Sequence, residues 1–131
     1  HWMAVLAMDQ YAQLIASRLE GGVLITEPGE IAAALDGGSI PVLAPYRWLR
    51  KVDPLPHCWD VTSDSIAAWV AGQIDAGRLV LVKPAGAAGD ELVDMYFRQV
   101  LPDDIASVVV AADRIEAWGK EHRARAEAGH R

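Results

Sequence analysis

Thr62-Ser63-Asp64-Ser65-Ile66-Ala67-Ala68-Trp69-Val70-Ala71, followed shortly by Arg78-Leu79-Val80-Leu81-Val82-Lys83-Pro84-Ala85-Gly86, is the stretch that sets the fold class. Thr62, Ser63 and Asp64 precede an apolar run, where a side-chain oxygen can accept a hydrogen bond from an unpaired first-turn N–H. Ile66, Ala67, Trp69, Val70 and Ile74 then share one stripe, which predicts a helix from Thr62 to about Ala76 with Gly77 ending it. Leu79 to Lys83 is apolar enough for a strand buried on both faces, as central parallel strands are. A helix that opens among hydroxyls, beside a strand ending in Lys83 and Gly86, offers N–H donors and positive charge to an anion. That corner is suited to handling phosphate.

Upstream, Val5, Met8, Ala12, Ile15 and Leu19 recur at helical spacing from Trp2 onward, with Asp9, Gln10, Gln13 and Arg18 on the other side. Glu20-Gly21-Gly22 stops that helix by supplying a residue tolerant of positive φ. Val23 to Ile25 reads as a strand, Pro28 as the first turn of a helix continuing through Ile31 to Leu35, and Asp36 to Ser39 as a turn. Ile40 to Pro45 is the next strand, with Pro41 near its start, where a missing N–H does least harm. Tyr46 to Asp60 mixes prolines, charges and tryptophans and reads as a structured loop at a carboxyl strand end, where open α/β sheets place ligands.

Downstream, Pro84 to Asp90 is expected to be a mobile turn and Glu91 to Leu101 a helix with Leu92, Tyr96 and Val100 on its inner stripe, stopped by Pro102. Ala106 to Ala111 reads as the last strand. Asp113 is expected to cap a helix reaching about Arg125, with a frayed tail. Helices alternate with short apolar strands and no repeat interrupts them, a pattern that favours a parallel sheet between helical layers.

At 131 residues the chain is read as one domain, 1–131, able to bury a core without disulfides. A net charge of −6 argues against nucleic-acid binding, which needs clustered cations. No apolar run reaches the length of a membrane span, and no basic region leads into an apolar segment as in a signal peptide. Cys58, the single cysteine, fits a reducing compartment. The expected location is cytoplasmic, with no membrane partner. His57-Cys58 lacks zinc spacing, so no metal-ligand set is assigned, and neither a nucleophile elbow nor a Rossmann or Walker loop is present.

The run "DVTSDSIAAW…LVLVKPAG" resembles the nucleotide-side half of the amino acid kinase superfamily, most closely the branch that phosphorylates an aminomethylfuran phosphate on the way to methanofuran-type one-carbon coenzymes. "HWMAVLAMDQYAQLIA" and "ELVDMYFRQVLP" are similar to that branch too, and the likeness extends from Trp2 to about Ala112. It implies a three-layer α/β/α sandwich, Mg-ATP (ATP and Mg2+) as cofactor and a small-molecule phosphate acceptor. The family carries a first strand and a Gly-rich phosphate loop ahead of such a segment; His1-Trp2-Met3 reads as the inside of a helix, as in a fragment or a shortened relative.

The resemblance places Asp64 beside the transferring phosphoryl group, orienting lysines and metal as the catalytic candidate; from local physics alone it complements the helix dipole. Thr62 and Ser63 are candidates for contacting phosphate or acceptor, and one of them is needed as a cap. Lys83 and Gly86 would border the nucleotide, although the family usually carries Thr or Ser with Asp where this chain has Lys-Pro. Lys83 otherwise snorkels from the sheet end. Arg47, with Arg50 and Lys51, would clamp an acceptor phosphate, or else pair in solvent with Asp53 and Asp60. Trp59 and Trp48 would line a pocket for a furan-sized ring, while Trp69 packs. Two functions follow: a small-molecule kinase, or a non-catalytic relative kept for assembly or ligand binding. A homo-oligomer is expected in either case.

Overall fold

The computed structural model describes residues 1–87 and 92–129. They fall into two compact units, His1–Cys58 and Trp59–Arg131, each with its own parallel strand pair. The α/β class read from the alternation of helices and strands holds in both.

The first unit opens with helix α1 (Trp2–Arg18), whose Val5 and Ala12 are buried and which packs on the strands β1 (Gly22–Ile25) and β2 (Ile40–Leu43). Its inner face is rotated from the expected stripe. Ile15 and Leu19 are exposed, whereas Asp9, assigned above to the outer side, is half-buried. At 100° per residue Asp9 lies about 40° from Val5 and about 60° from Ala12, on the same face, and the Tyr46 N–H donates to it there. Gly21 leaves the helix at φ +76°, and at Gly22 a Cβ would meet Leu19 O at 3.0 Å, so the turn into β1 has no room for a side chain.

Helix α2 (Glu30–Asp36) joins β1 to β2, which pair in parallel from Gly22 opposite Ile40 to Ile25 opposite Leu43. Pro28 lies just before α2 rather than inside its first turn; Gly29 is the capping position, and Glu30 reaches back to the Thr26 and Glu27 N–H groups at 2.8 and 2.9 Å. These two bonds hold the Glu30 carboxyl below the ordinary range.

Tyr46 to Asp60 is not a loop throughout. Tyr46–Val52 forms helix α3, with Trp48 and Leu49 buried. The prolines at 54 and 56 lie beyond it, Pro45 stands ahead of it with helical φ, and Asp53 ends it at φ +46°. No residue between those limits opposes a helix.

In the second unit helix α4 covers Ser63–Gln73, with Thr62, one of the expected candidates, as its cap. It ends three residues early, because Asp75 takes the left-handed conformation at φ +51° ahead of Gly77. Strands β3 (Arg78–Lys83) and β4 (Ala106–Ala111) run parallel, with Lys83 opposite Ala111. β3 is not buried on both faces: Leu81 is inside while Val82 is 55% exposed.

The helix expected over 91–101 shrinks to α5 (Phe97–Val100), since Asp94 holds the residues before it in a bonded turn. Glu91 and the end of the Pro84 to Asp90 turn lie outside the described residues. Ala68, Leu81 and Phe97 form the core of this unit, edged by Leu79, Val93, Val100 and Val109. Asp113 sits in a short 3-10 turn (Ala112–Arg114) before helix α6 (Ile115–Gly129), which runs past the expected end at Arg125 through residues expected to be frayed; 130–131 lie outside the described residues. Among the described residues no helix is long and apolar enough to cross a membrane.

Candidate functional site

The start of α4 and the carboxyl end of β3 meet in the second unit. Asp64 is 7% exposed, in the first turn of α4, and Lys83 is the last residue of β3. Lys83 Nζ donates to both carboxylate oxygens of Asp64, at 2.7 Å to Oδ1 and 2.8 Å to Oδ2. Their side chains are only 18% and 10% exposed, so the pair is partly withdrawn from solvent screening. An ammonium has three donors. Two are committed to Asp64.

The sequence pointed to Asp64 and Lys83 separately, and the structure joins them. It also adds Asp94, a residue that sequence reasoning missed. The Asp94 N–H donates to Asp64 Oδ2 at 3.1 Å. Its carboxylate collects the donors around α4's start: Thr62 N–H at 2.8 Å, Thr62 Oγ1–H at 2.7 Å, Ser65 N–H at 3.1 Å and the Ser65 hydroxyl. Tyr96 N–H adds a fifth bond at 3.2 Å. Burial pushes the Asp94 carboxyl up, but the bonds from Ser65 and Thr62 outweigh it and hold its pKa below the ordinary value. Thr62 Oγ1, while donating to Asp94, accepts from Asp64 N–H at a long 3.5 Å.

The Thr62 and Ser65 donors at this helix start are therefore already met by Asp94, and Lys83 is the cation beside them. Ser63, the neighbouring candidate, is exposed on the first turn. Gly86, three residues past Lys83, has φ +80°, and its N–H donates to Asp113 Oδ1 at 3.2 Å. This is where Asp113 acts, bonding the turn after β3 rather than capping α6. Trp59 is 97% exposed.

The sequence model of the Amino acid kinase family matches residues 3–86, from α1 to Gly86. The chain belongs to the amino acid kinase family. The family is one of kinase-like phosphotransferases, and nucleotide use goes with it. No curated protein and no solved structure matches the chain significantly. Within this amino acid kinase chain the match includes Thr62, Ser63, Asp64, Lys83 and Gly86, and stops short of Asp94 and Asp113.

The remaining candidate, Arg47, belongs to the first unit. Its Nε lies 3.2 Å from Glu27 Oε1, so an ion pair forms between the first turn of α3 and the turn after β1, with Glu27 in place of the expected Asp53 or Asp60. Asp53 instead meets His57 Nε2 at 2.6 Å, and Arg50 lies over the Trp2 ring, 4.8 Å from its centre. Trp48 is buried packing. Among the described residues no group of three or more His, Cys, Asp or Glu side chains is placed to hold a metal ion.

Proposed function

We propose that this chain is the phosphate-handling part of an ATP-dependent small-molecule kinase, with an aminomethylfuran phosphate the first acceptor to test. The observation that carries the reading is the bidentate Asp64–Lys83 pair at a strand end beside a helix start. Phosphoryl transfer depends on positioning and charge neutralisation more than on a strong base. Asp64 fixes the direction of Lys83, and the third ammonium donor is directed to a phosphoryl oxygen. Ser63, exposed on the rim of the same turn, faces the acceptor or its phosphate in this reading; Thr62 would do so only by giving up its hydroxyl bond to Asp94, and Gly86 lets the backbone approach the nucleotide.

These residues suit the phosphate end of a nucleotide. They suit a metal less, since both Asp64 oxygens accept from Lys83 and an ion bound there has to displace it. When bound with the nucleotide, Mg2+ supplies further charge neutralisation, and it commonly takes most of its ligands from phosphates and water. The protein's share is to bind and orient. The exposed Trp59, in the same unit, is assigned to the acceptor.

Calorimetry of Mg-ATP binding to this chain tests the reading. Saturable binding, weakened about ten-fold or more in Lys83→Ala through loss of a charge-assisted contact, supports it. No heat at millimolar nucleotide, with the chain shown folded, refutes it for this polypeptide.

A second reading, a non-catalytic subunit kept for assembly or small-ligand binding, is favoured by the outer face of α1. Met3 there is 85% and Tyr11 68% exposed, with Leu14 and Ile15 beside them. An apolar face of that kind suits a second copy of the chain. A molar mass that stays monomeric across a concentration series, measured by light scattering, counts against it.

A further inference from the structure

We infer that Asp94 is the positioning residue of the Asp64–Lys83 pair; its role in catalysis rests on the phosphate-handling reading above, but its hold on the pair does not. The argument begins with how few bonds within α4 fix Asp64. Its N–H has only the long contact to Thr62 Oγ1, and its carboxylate is turned toward β3. Asp94 supplies what the helix start lacks. One oxygen, Oδ2, takes both donors of Thr62 and the N–H of Ser65, while Oδ1 takes the Ser65 hydroxyl. Residues on both sides of Asp64 are thus tied to one carboxylate, and the backbone N–H of that same residue reaches Asp64 Oδ2.

A local cap would fix only the helix end. This arrangement also fixes the carboxylate that aims Lys83. Two further features confine Asp94. Tyr96 N–H bonds to its Oδ1, and Phe97, 1% exposed in the core, anchors the turn three residues on. Asp94 therefore cannot shift without moving either the core or the start of α4.

The chemistry also demands an ionised carboxylate. All five groups facing its two oxygens are donors as placed: three N–H groups and two hydroxyls. An amide in its place turns an NH2 toward donors on one side or the other, and backbone N–H groups cannot reverse their role. Asp94→Asn should therefore disturb the pair despite its matched size.

The test reads Lys83 directly. Acylation of the full chain with a trace amine reagent, quantified by mass spectrometry, reports how tightly Lys83 Nζ is held. The expected result is a rise in the Lys83 rate of about ten-fold in Asp94→Asn, the equivalent of one charge-assisted hydrogen bond. Thr62→Val, which removes one bond to Asp94 along with the long contact from Asp64 N–H, should give a smaller rise, and it carries the test if Asp94→Asn does not fold. Gly72→Ala serves as a control: it strains α4 against Pro102 and leaves the site untouched.

An unchanged Lys83 rate in folded Asp94→Asn or Thr62→Val overturns the inference, as does an equal rise in Gly72→Ala, which would mean that any loss of stability loosens the lysine. Mg-ATP titration of the same samples separates the two readings. A Lys83 rate that responds while the wild type binds no nucleotide upholds the positioning role and refutes the nucleotide site.

Discussion

Removing Lys83 should cost far more than removing a surface lysine, and the structure sets the scale. At 2.7 Å the attraction between Lys83 and Asp64 is about 6 kcal/mol at an effective dielectric of 20 and about 1.5 kcal/mol in bulk water. Side-chain exposures of 18% and 10% place the pair nearer the first limit. Desolvation of both ions offsets much of that attraction, and breaking a buried pair typically costs about 3–5 kcal/mol because one charge is left alone. Asp64 would still keep the Asp94 N–H, so Lys83→Met should fall at the low end, about 3 kcal/mol.

Asp64→Asn should cost a similar amount, and the double variant little more than either single one. The coupling energy is therefore about 2–3 kcal/mol. Urea unfolding followed by circular dichroism gives the three differences. Hydrogen exchange of peptides from α4 and β3 assigns them to the second unit, a precaution required by a chain with two compact units. A coupling below about 0.5 kcal/mol, the range of solvated surface pairs, would refute the claim that this pair is shielded and oriented.

Three further outcomes follow from the same geometry. The depressed pKa of Asp94 stabilises the fold fully above the ordinary aspartate value of 3.8 and loses that contribution as pH falls through the lower folded value, so Asp94→Asn should flatten the acid limb of stability against pH, measured by thermal unfolding between pH 2 and 6. Gly72→Ala gains about 1 kcal/mol in helix propensity, but its Cβ meets the rigid Pro102 ring at 2.9 Å; overpacking of about 1–3 kcal/mol should win, and a raised urea midpoint would refute this. Asp75→Gly removes a side chain from the left-handed residue after α4 and should raise stability by about 0.5 kcal/mol in the same assay; a lowered urea midpoint would refute this.

Much of the architecture was legible because its signals are local. β4 falls on Ala106–Ala111 as read, and β1, β2 and β3 lie within two residues of their expected ends, since short apolar runs between glycines, prolines and polar turns leave few alternatives. Thr62 caps α4 because hydroxyl side chains do so wherever the chain turns into a helix. α3 was hidden by its neighbours: prolines at 45, 54 and 56 made the whole segment look irregular, although none falls inside Tyr46–Val52. α5 was overestimated because the helical spacing of Leu92, Tyr96 and Val100 does not register that Asp94, among them, is bonded to α4.

What the sequence could not display is the origin of the aspartates that bond the starts of α3 and α4. In the first unit Tyr46 N–H, at the start of α3, donates at 2.9 Å to Asp9 Oδ1, a carboxylate from 37 residues earlier. In the second, Thr62 and Ser65 donate to Asp94, about 30 residues later. Both helices follow positions that give little of their own: Pro45 has no N–H and no side-chain oxygen, and the Thr62 bond to Asp64 N–H is long. Cap rules search the few residues around a helix start, so an aspartate arriving through tertiary contact reads as a solvated charge. The two cases nevertheless share a signature. Each aspartate has apolar neighbours, Asp9 sharing a helix face with Val5 and Ala12 and Asp94 lying between Val93 and Met95, where an uncompensated carboxylate would be costly. A charge set in an apolar face implies a donor somewhere opposite it. For Asp94 that donor set encloses Asp64, which is why the residue outside the family match has the closest hold on the candidate site inside it.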